Sequence, residues 1–126
     1  MTIRKRIVAV NQLPEISNRK QGRIFLGEIR NWMSVDRPRM VLDCSLVRQL
    51  DRSIIYLLLC CLEEAMKRNG DVKLAALPPG ARIVLEDTGT NRLFDIYDTT
   101  AEAVNSFHQL PVQDSVRVRR EPENVA

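Results

Sequence analysis

Two spacings of apolar residues alternate along this chain. Short continuous or alternating apolar runs, the mark of strands, occupy residues 6–10, 40–42 and 71–77. Between them, apolar positions recur at helical spacing. The first strand ends before Asn11, and Leu13-Pro14-Glu15 breaks the extended pattern. Residues 17–22 are polar, with Ser17 and Asn18 as candidate helix caps. The helix they start runs to about Met33, and Phe25, Ile29, Trp32 and Met33 mark one apolar face. Residues 34–39 are a polar connection to the second strand.

The most apolar helix follows that strand. A loop carrying Asp51, Arg52 and Ser53 leads into it, and Ser53 is the candidate cap. Asn69-Gly70 marks its end, since glycine suits the left-handed residue that closes a helix. At about 100° per residue, Ile54, Ile55, Leu58, Cys61, Leu62 and Ala65 share one arc and should face the sheet. Leu59 and Met66 lie at its edge. The opposite arc is charged in its second half, as a solvated face should be. Its first half holds Tyr56, Leu57 and Cys60 instead. Apolar residues on the outer arc beside a polar loop suggest a contact surface. The alternative is a wider core, with the first helix or the N-terminal segment covering these side chains.

After the third strand, Pro78-Pro79-Gly80 stops extended pairing. A third helix is expected from Ala81, with Ile83, Val84 and Leu85 apolar, interrupted over residues 87–90. Leu93 and Phe94 continue the core, and Ile96-Tyr97 suits a short last strand. Thr99 or Thr100 caps a fourth helix, with Glu102 in its first turn and Ala103, Val104 and Phe107 on its buried side. Strands alternating with helices imply an α/β domain with several parallel strands. One domain over residues 1–110 is expected, followed by a polar tail, 111–126, in which Val116 and Val118 alternate as in a short edge strand.

Composition narrows the function classes. The longest apolar run, residues 54–62, is about half a membrane span, and the basic N-terminus lacks a secretory apolar stretch. A cytoplasmic protein without membrane insertion is expected. The net charge of +3 comes from the ends, through Arg4, Lys5, Arg6, Arg117, Arg119 and Arg120, while charges between them nearly cancel. No basic stripe with aromatics marks a nucleic-acid surface. Cys44, Cys60 and Cys61 form no C-x-x-C, and with His108 as the sole histidine neither a zinc site nor a triad is expected. There is no glycine-rich phosphate cradle and no sign of a cofactor. Asp43 and Asp51 could pair as carboxylates around one loop, which is the only enzymatic possibility.

Four features in order resemble the STAS domain family, which includes the anti-sigma factor antagonists. Met40-Val41-Leu42-Asp43 leads to Asp51-Arg52-Ser53 and an apolar helix, where the family shows Asp-Ser-Ser-Gly before its helix. The step through Gly70 into a strand is similar. So are Leu85-Glu86-Asp87-Thr88-Gly89-Thr90-Asn91-Arg92-Leu93-Phe94-Asp95-Ile96-Tyr97 and the closing Thr100-Ala101-Glu102-Ala103-Val104. The likeness covers about residues 6–108.

The resemblance implies a mixed, mostly parallel sheet of about four to five strands with about four helices, and no catalysis. It implies a regulatory protein partner, kinase-like, an anti-sigma factor or another STAS chain, bound through Asp51, Arg52, Ser53, Tyr56, Leu57 and Cys60. Family members switch such binding by phosphorylating the first serine of the loop, whose charge alters the helix start. Arg52 stands there, so no phosphorylation is expected, with Ser53 as the weaker alternative acceptor. Ile54 replaces the glycine, and Tyr56 and Cys60 replace small residues. The N-terminal part holds one strand where the family often has a hairpin. A weak homodimer through the outer helix arc is a further expectation. The alternative role is an accessory STAS subunit of a transport system, binding a protein, lipid or small ligand.

Overall fold

The computed structural model describes residues 7–108. Strand β1 (Val8–Gln12) is followed by α1 (Arg19–Trp32), β2 (Arg39–Asp43), α2 (Arg52–Met66), β3 (Asp71–Ala75), α3 (Pro79–Thr88), a 3-10 turn (Thr90–Arg92), β4 (Ile96–Tyr97) and α4 (Thr100–Phe107). The sheet order is β1-β2-β3-β4, with every pairing parallel. The expected strand–helix alternation and the four helices are present. The antiparallel member of a mixed sheet is not found among the described residues. The tail 111–126 and its Val116–Val118 alternation lie outside them.

Each crossover steps one strand further in the same direction. With the usual right-handed connection, α1, α2 and α3 therefore share one face of the sheet. Burial follows the two-residue period of the strands. Met40, Leu42, Val72 and Leu74 join the large core under those helices, while Val41 and Ala75 point to Ala103 of α4. Lys73 is also buried on the α4 side. Its ammonium lies 2.6 Å from Ser106 Oγ, 3.8 Å from an Asp95 carboxylate oxygen and 4.2 Å from the Phe107 ring centre. A buried charge is tolerable when it is paired in this way. Arg39 Nη1 donates to the Phe107 carbonyl at 2.7 Å, so two cations from the sheet hold α4 down.

Several boundaries differ from the sequence expectation for local reasons. β1 continues through Asn11 and Gln12, because both pair in register with β2. Asn18, not Ser17, caps α1: its side chain accepts from Gln21 N at 2.9 Å, while Gln21 Oε1 accepts from Ser17 N. Trp32 is 57% exposed although it follows the apolar spacing of α1, whereas Phe25, Ile29 and Met33 are buried. Leu93 is likewise exposed, leaving Phe94 to fill the core. α3 starts at Pro79, where the missing N–H costs nothing. Thr99 caps α4, accepting from Glu102 N at 3.1 Å.

The end of α2 corrects the sequence reading most sharply. The left-handed residue is Asn69, at φ 61°, and not Gly70. Gly70 N donates to the Ala65 carbonyl at 2.8 Å, and Asn69 N to the Met66 carbonyl at 3.1 Å. The glycine is required for space. A Cβ there would lie 2.6 and 2.7 Å from two ring carbons of Pro38 and closer still to the Pro38 carbonyl oxygen.

Candidate functional site

The loop after β2 ends on Asp51, which has extended backbone, so its side chain can turn back over the first turn of α2. Its Oδ1 accepts from Ile54 N at 3.0 Å and from Ser53 Oγ at 2.7 Å. The cap is therefore Asp51 and not Ser53. Ser53 sits inside the helix and spends its proton on the cap. These two donors, Ser53 first, hold the Asp51 carboxyl below the ordinary range, so it is ionised at neutral pH.

That geometry makes an acid-titration prediction. A depressed folded pKa contributes stability above the unfolded value and loses it as pH falls through the folded one. Asp51→Ala should cost about 0.5–2 kcal/mol at neutral pH, the usual worth of a cap. The gap between wild type and variant should narrow below about pH 4, as the carboxylate protonates. Urea unfolding of both proteins across that range checks it; a gap independent of pH would remove the charged cap from the account.

The outer arc of α2 is split by the structure. Tyr56 is 70% exposed and Cys60 is half-buried, but Leu57 is only 6% exposed. Leu57 therefore belongs to the core, and the outward position that the helical wheel gives it is wrong. A wheel drawn for one neighbour, the sheet, predicts a narrow buried arc. α2 has a second neighbour, α1, which widens that arc by about one residue's rotation of 100°. Further along, Arg30 of α1 reaches Glu64 at 3.2 Å. Burial acts to raise the Glu64 carboxyl, but Arg30, Lys67 and Arg68 outweigh it and hold it low.

At their N-terminal ends the two helices part and leave a groove of about 450 Å³. From α2 and its cap come Asp51, Ser53, Tyr56, Leu57 and Cys60; from α1 and the turn before it come Ile16, Asn18, Arg19, Gly22, Arg23 and Leu26, with Ser17. Five of the six residues expected to bind a partner thus line one concavity. Arg52 is exposed but does not line it. The α1 wall has no counterpart in the sequence expectation. Its only trace in the sequence is the spacing of Arg19, Gly22, Arg23 and Leu26 along one helix stripe, which means little until α1 is known to lie beside α2.

The chemistry of the wall is quiet. Cys60 beside Tyr56 pushes the phenol above its ordinary pKa, so it is neutral. Burial pushes the Cys44 and Cys61 thiols up to about 12, leaving neither as a thiolate. Asp43 does not join Asp51: its Oδ1 accepts from Ser45 N at 3.0 Å and it is not part of the groove. The lowered pKa of Asp51 also runs opposite to what the acid of a carboxylate pair needs. Among the described residues no cluster of His, Cys, Asp or Glu could hold a metal ion, and no helix is long and apolar enough to cross a membrane.

Residues 19–103 match the family model of the STAS domain. Solved structures with this fold include an anti-sigma-factor antagonist (STAS) domain protein from Planctomyces limnophilus, 19% identical, with a TM-score of 0.67 over 78% of this chain and 88% of that one. A candidate anti-sigma factor antagonist from Thermotoga maritima is 18% identical, with a TM-score of 0.66 over 81% and 82%. The STAS domain of a SulP transporter from Vibrio cholerae is 18% identical, with a TM-score of 0.66 over 82% and 83%. No curated protein matches the sequence.

Proposed function

The chain belongs to the STAS domain family, and we propose that it is a non-catalytic regulatory domain of the anti-sigma factor antagonist type. It binds a protein partner through the start of α2 and works without a serine phospho-switch. The observation that carries this reading is the convergence of Asp51, Ser53, Tyr56 and Cys60 on one groove mouth, with an aromatic ring left 70% exposed. An exposed aromatic beside an apolar hollow is the usual anchor of a protein contact. Arg52 stands where antagonists of the family carry the phosphorylated serine. Ser53 is a poor substitute, because a phosphate there would face the Asp51 carboxylate that its hydroxyl now contacts at 2.7 Å. The proposed setting is a bacterial cytoplasm, where Cys44, Cys60 and Cys61 remain free thiols.

Two variants of this reading share the surface. A weak homodimer would be the self-paired form of the contact, but it would gather Arg19 and Arg23 of both copies at one interface. A partner of opposite charge is therefore favoured over a second copy. The accessory role in a transport system rests on the fold shared with the SulP domain.

Affinity capture from the native host tests the proposal, using wild type, Tyr56→Glu and the surface control Met66→Gln as baits. A stoichiometric partner should be retained by wild type and Met66→Gln and lost from Tyr56→Glu, with the unmodified intact mass for the bait. Recovery of the same proteins on all three baits, or a stoichiometric phosphate on Ser53, would contradict the reading. Tyr56 is chosen because Leu57→Ala would empty part of the core and confuse binding with folding.

A further inference from the structure

α1, one wall of the groove, begins with the wrong charge, whereas α2 is capped by the ionised Asp51. A helix N-terminus carries about half a positive charge and favours acidic side chains in its first turn. α1 and α2 have no acidic residue in their first turns, and each starts on an arginine, Arg19 and Arg52. α4 carries Glu102 in its first turn, while α3, which also lies away from the groove, has no acid in its own. Arg23, one turn along α1, lines the groove beside Arg19, whereas Arg52 lies outside it. All three are exposed, and none makes an ion pair among the described residues. The acid within the groove, Asp51, is already committed to Ser53 and Ile54 as the α2 cap. The α1 side of the groove therefore carries the positive charge of Arg19 and Arg23, facing Asp51 across apolar Leu26, Leu57 and the Tyr56 ring. Local choices that oppose the stability of their own helices are where a binding function is expected to show.

We propose that this groove receives an acidic amphipathic segment of the partner protein. An apolar side chain of that segment sits on Leu26, Leu57 and Tyr56, and its flanking carboxylates meet Arg19 and Arg23. Arginine suits the task because its planar fork takes a carboxylate through two bonds at once. The volume of about 450 Å³ accommodates an anchor of one or two large side chains and not a whole domain. This deepens the proposed function and rests on it for the choice of a protein as partner.

The probes are two synthetic helical peptides of about four turns. They share one Leu/Trp stripe and carry either glutamate or lysine at all other positions. Fluorescence anisotropy with the full chain should give saturable binding of the glutamate peptide and none of the lysine peptide. Arg19→Glu/Arg23→Glu should weaken it at least about tenfold, since charge reversal replaces attraction by repulsion. The same double variant should melt no lower than wild type, because the new acids suit the start of α1. Tyr56→Ala should weaken binding in parallel. Failure of the glutamate peptide to bind, equal binding of both peptides, or indifference to the arginine reversal would each overturn the inference. Stronger retention on vesicles of anionic lipid than of the glutamate peptide would assign the charge to a membrane and overturn it as well. A captured partner that depends on Tyr56 but not on Arg19 and Arg23 would sink the acidic segment while leaving the regulatory contact intact.

Discussion

Leu58→Ala destabilises the domain by about 2–5 kcal/mol, the range for emptying a buried leucine site. Leu58 is fully buried on α2, in the core shared with Met40, Leu42, Val72 and Leu74 of the two central strands. Its loss removes transfer free energy and leaves a cavity that a parallel sheet, pinned on both sides, cannot easily close. Against a total stability of about 5–15 kcal/mol, this is a large share. Leu62, on the same face and 8% exposed, should respond in the same direction. Met66, one turn further and 62% exposed, should change by less than about 0.5 kcal/mol when cut to alanine. Urea unfolding of the three variants checks the ordering. Equal midpoints for Leu58→Ala and wild type would mean that α2 presents a different face to the sheet.

Gly70→Ala is expected to be nearly as damaging, for the opposite reason. It adds one methyl group where none fits. The obstruction is the backbone carbonyl and the ring of Pro38, and Pro38 is itself buried. Asp71 N donates to that same carbonyl at 2.9 Å, and Arg37 N donates to the Arg68 carbonyl at 2.9 Å. Relief therefore requires the loop before β2 to separate from the loop before β3. Overpacking of this kind costs about 1–3 kcal/mol and sometimes more. Gly80 is the control. It lies in the first turn of α3, and a methyl added there would meet nothing within 4 Å beyond its chain neighbours and its own helix backbone, so Gly80→Ala should be neutral or mildly stabilising. Thermal melts of the pair should move apart, and a Gly70→Ala melt equal to wild type would show that the two loops separate freely.

These two residues differ in what they owe to sequence pattern. Leu58 is legible as core from helical spacing alone, because the side chain sits in the middle of an apolar arc. Gly70 is legible as a helix stop, but its reason is not. The sequence places Asn69 beside Gly70, and either can take a left-handed conformation. Only the approach of Pro38, distant in sequence and adjacent in space, shows that the asparagine turns and the glycine yields room.

The alternation of apolar runs and helical spacings by itself determined the order of strands and helices. The reason is that both periods are local properties of the backbone. The same local logic narrowed the α4 cap to Thr99 or Thr100, of which Thr99 serves, and identified the short strand Ile96–Tyr97. The loop before α2 entered as a candidate site through the family resemblance and through the apolar residues on the outer arc beside it. What the sequence could not decide was which elements lie side by side. The wheel turns Leu57 outward because it knows only one neighbour of α2, and the structure supplies α1 as a second. Ser53 and Asp51 are both residue types that serve as a cap, and only backbone geometry chooses Asp51. The groove itself is a product of packing. Its α1 wall lies some thirty residues before its α2 wall, and no local period links Arg19 and Arg23 to Tyr56. Contacts between elements are set by the depth and shape of side chains meeting across space, and that information becomes readable only when the helices have been laid against each other.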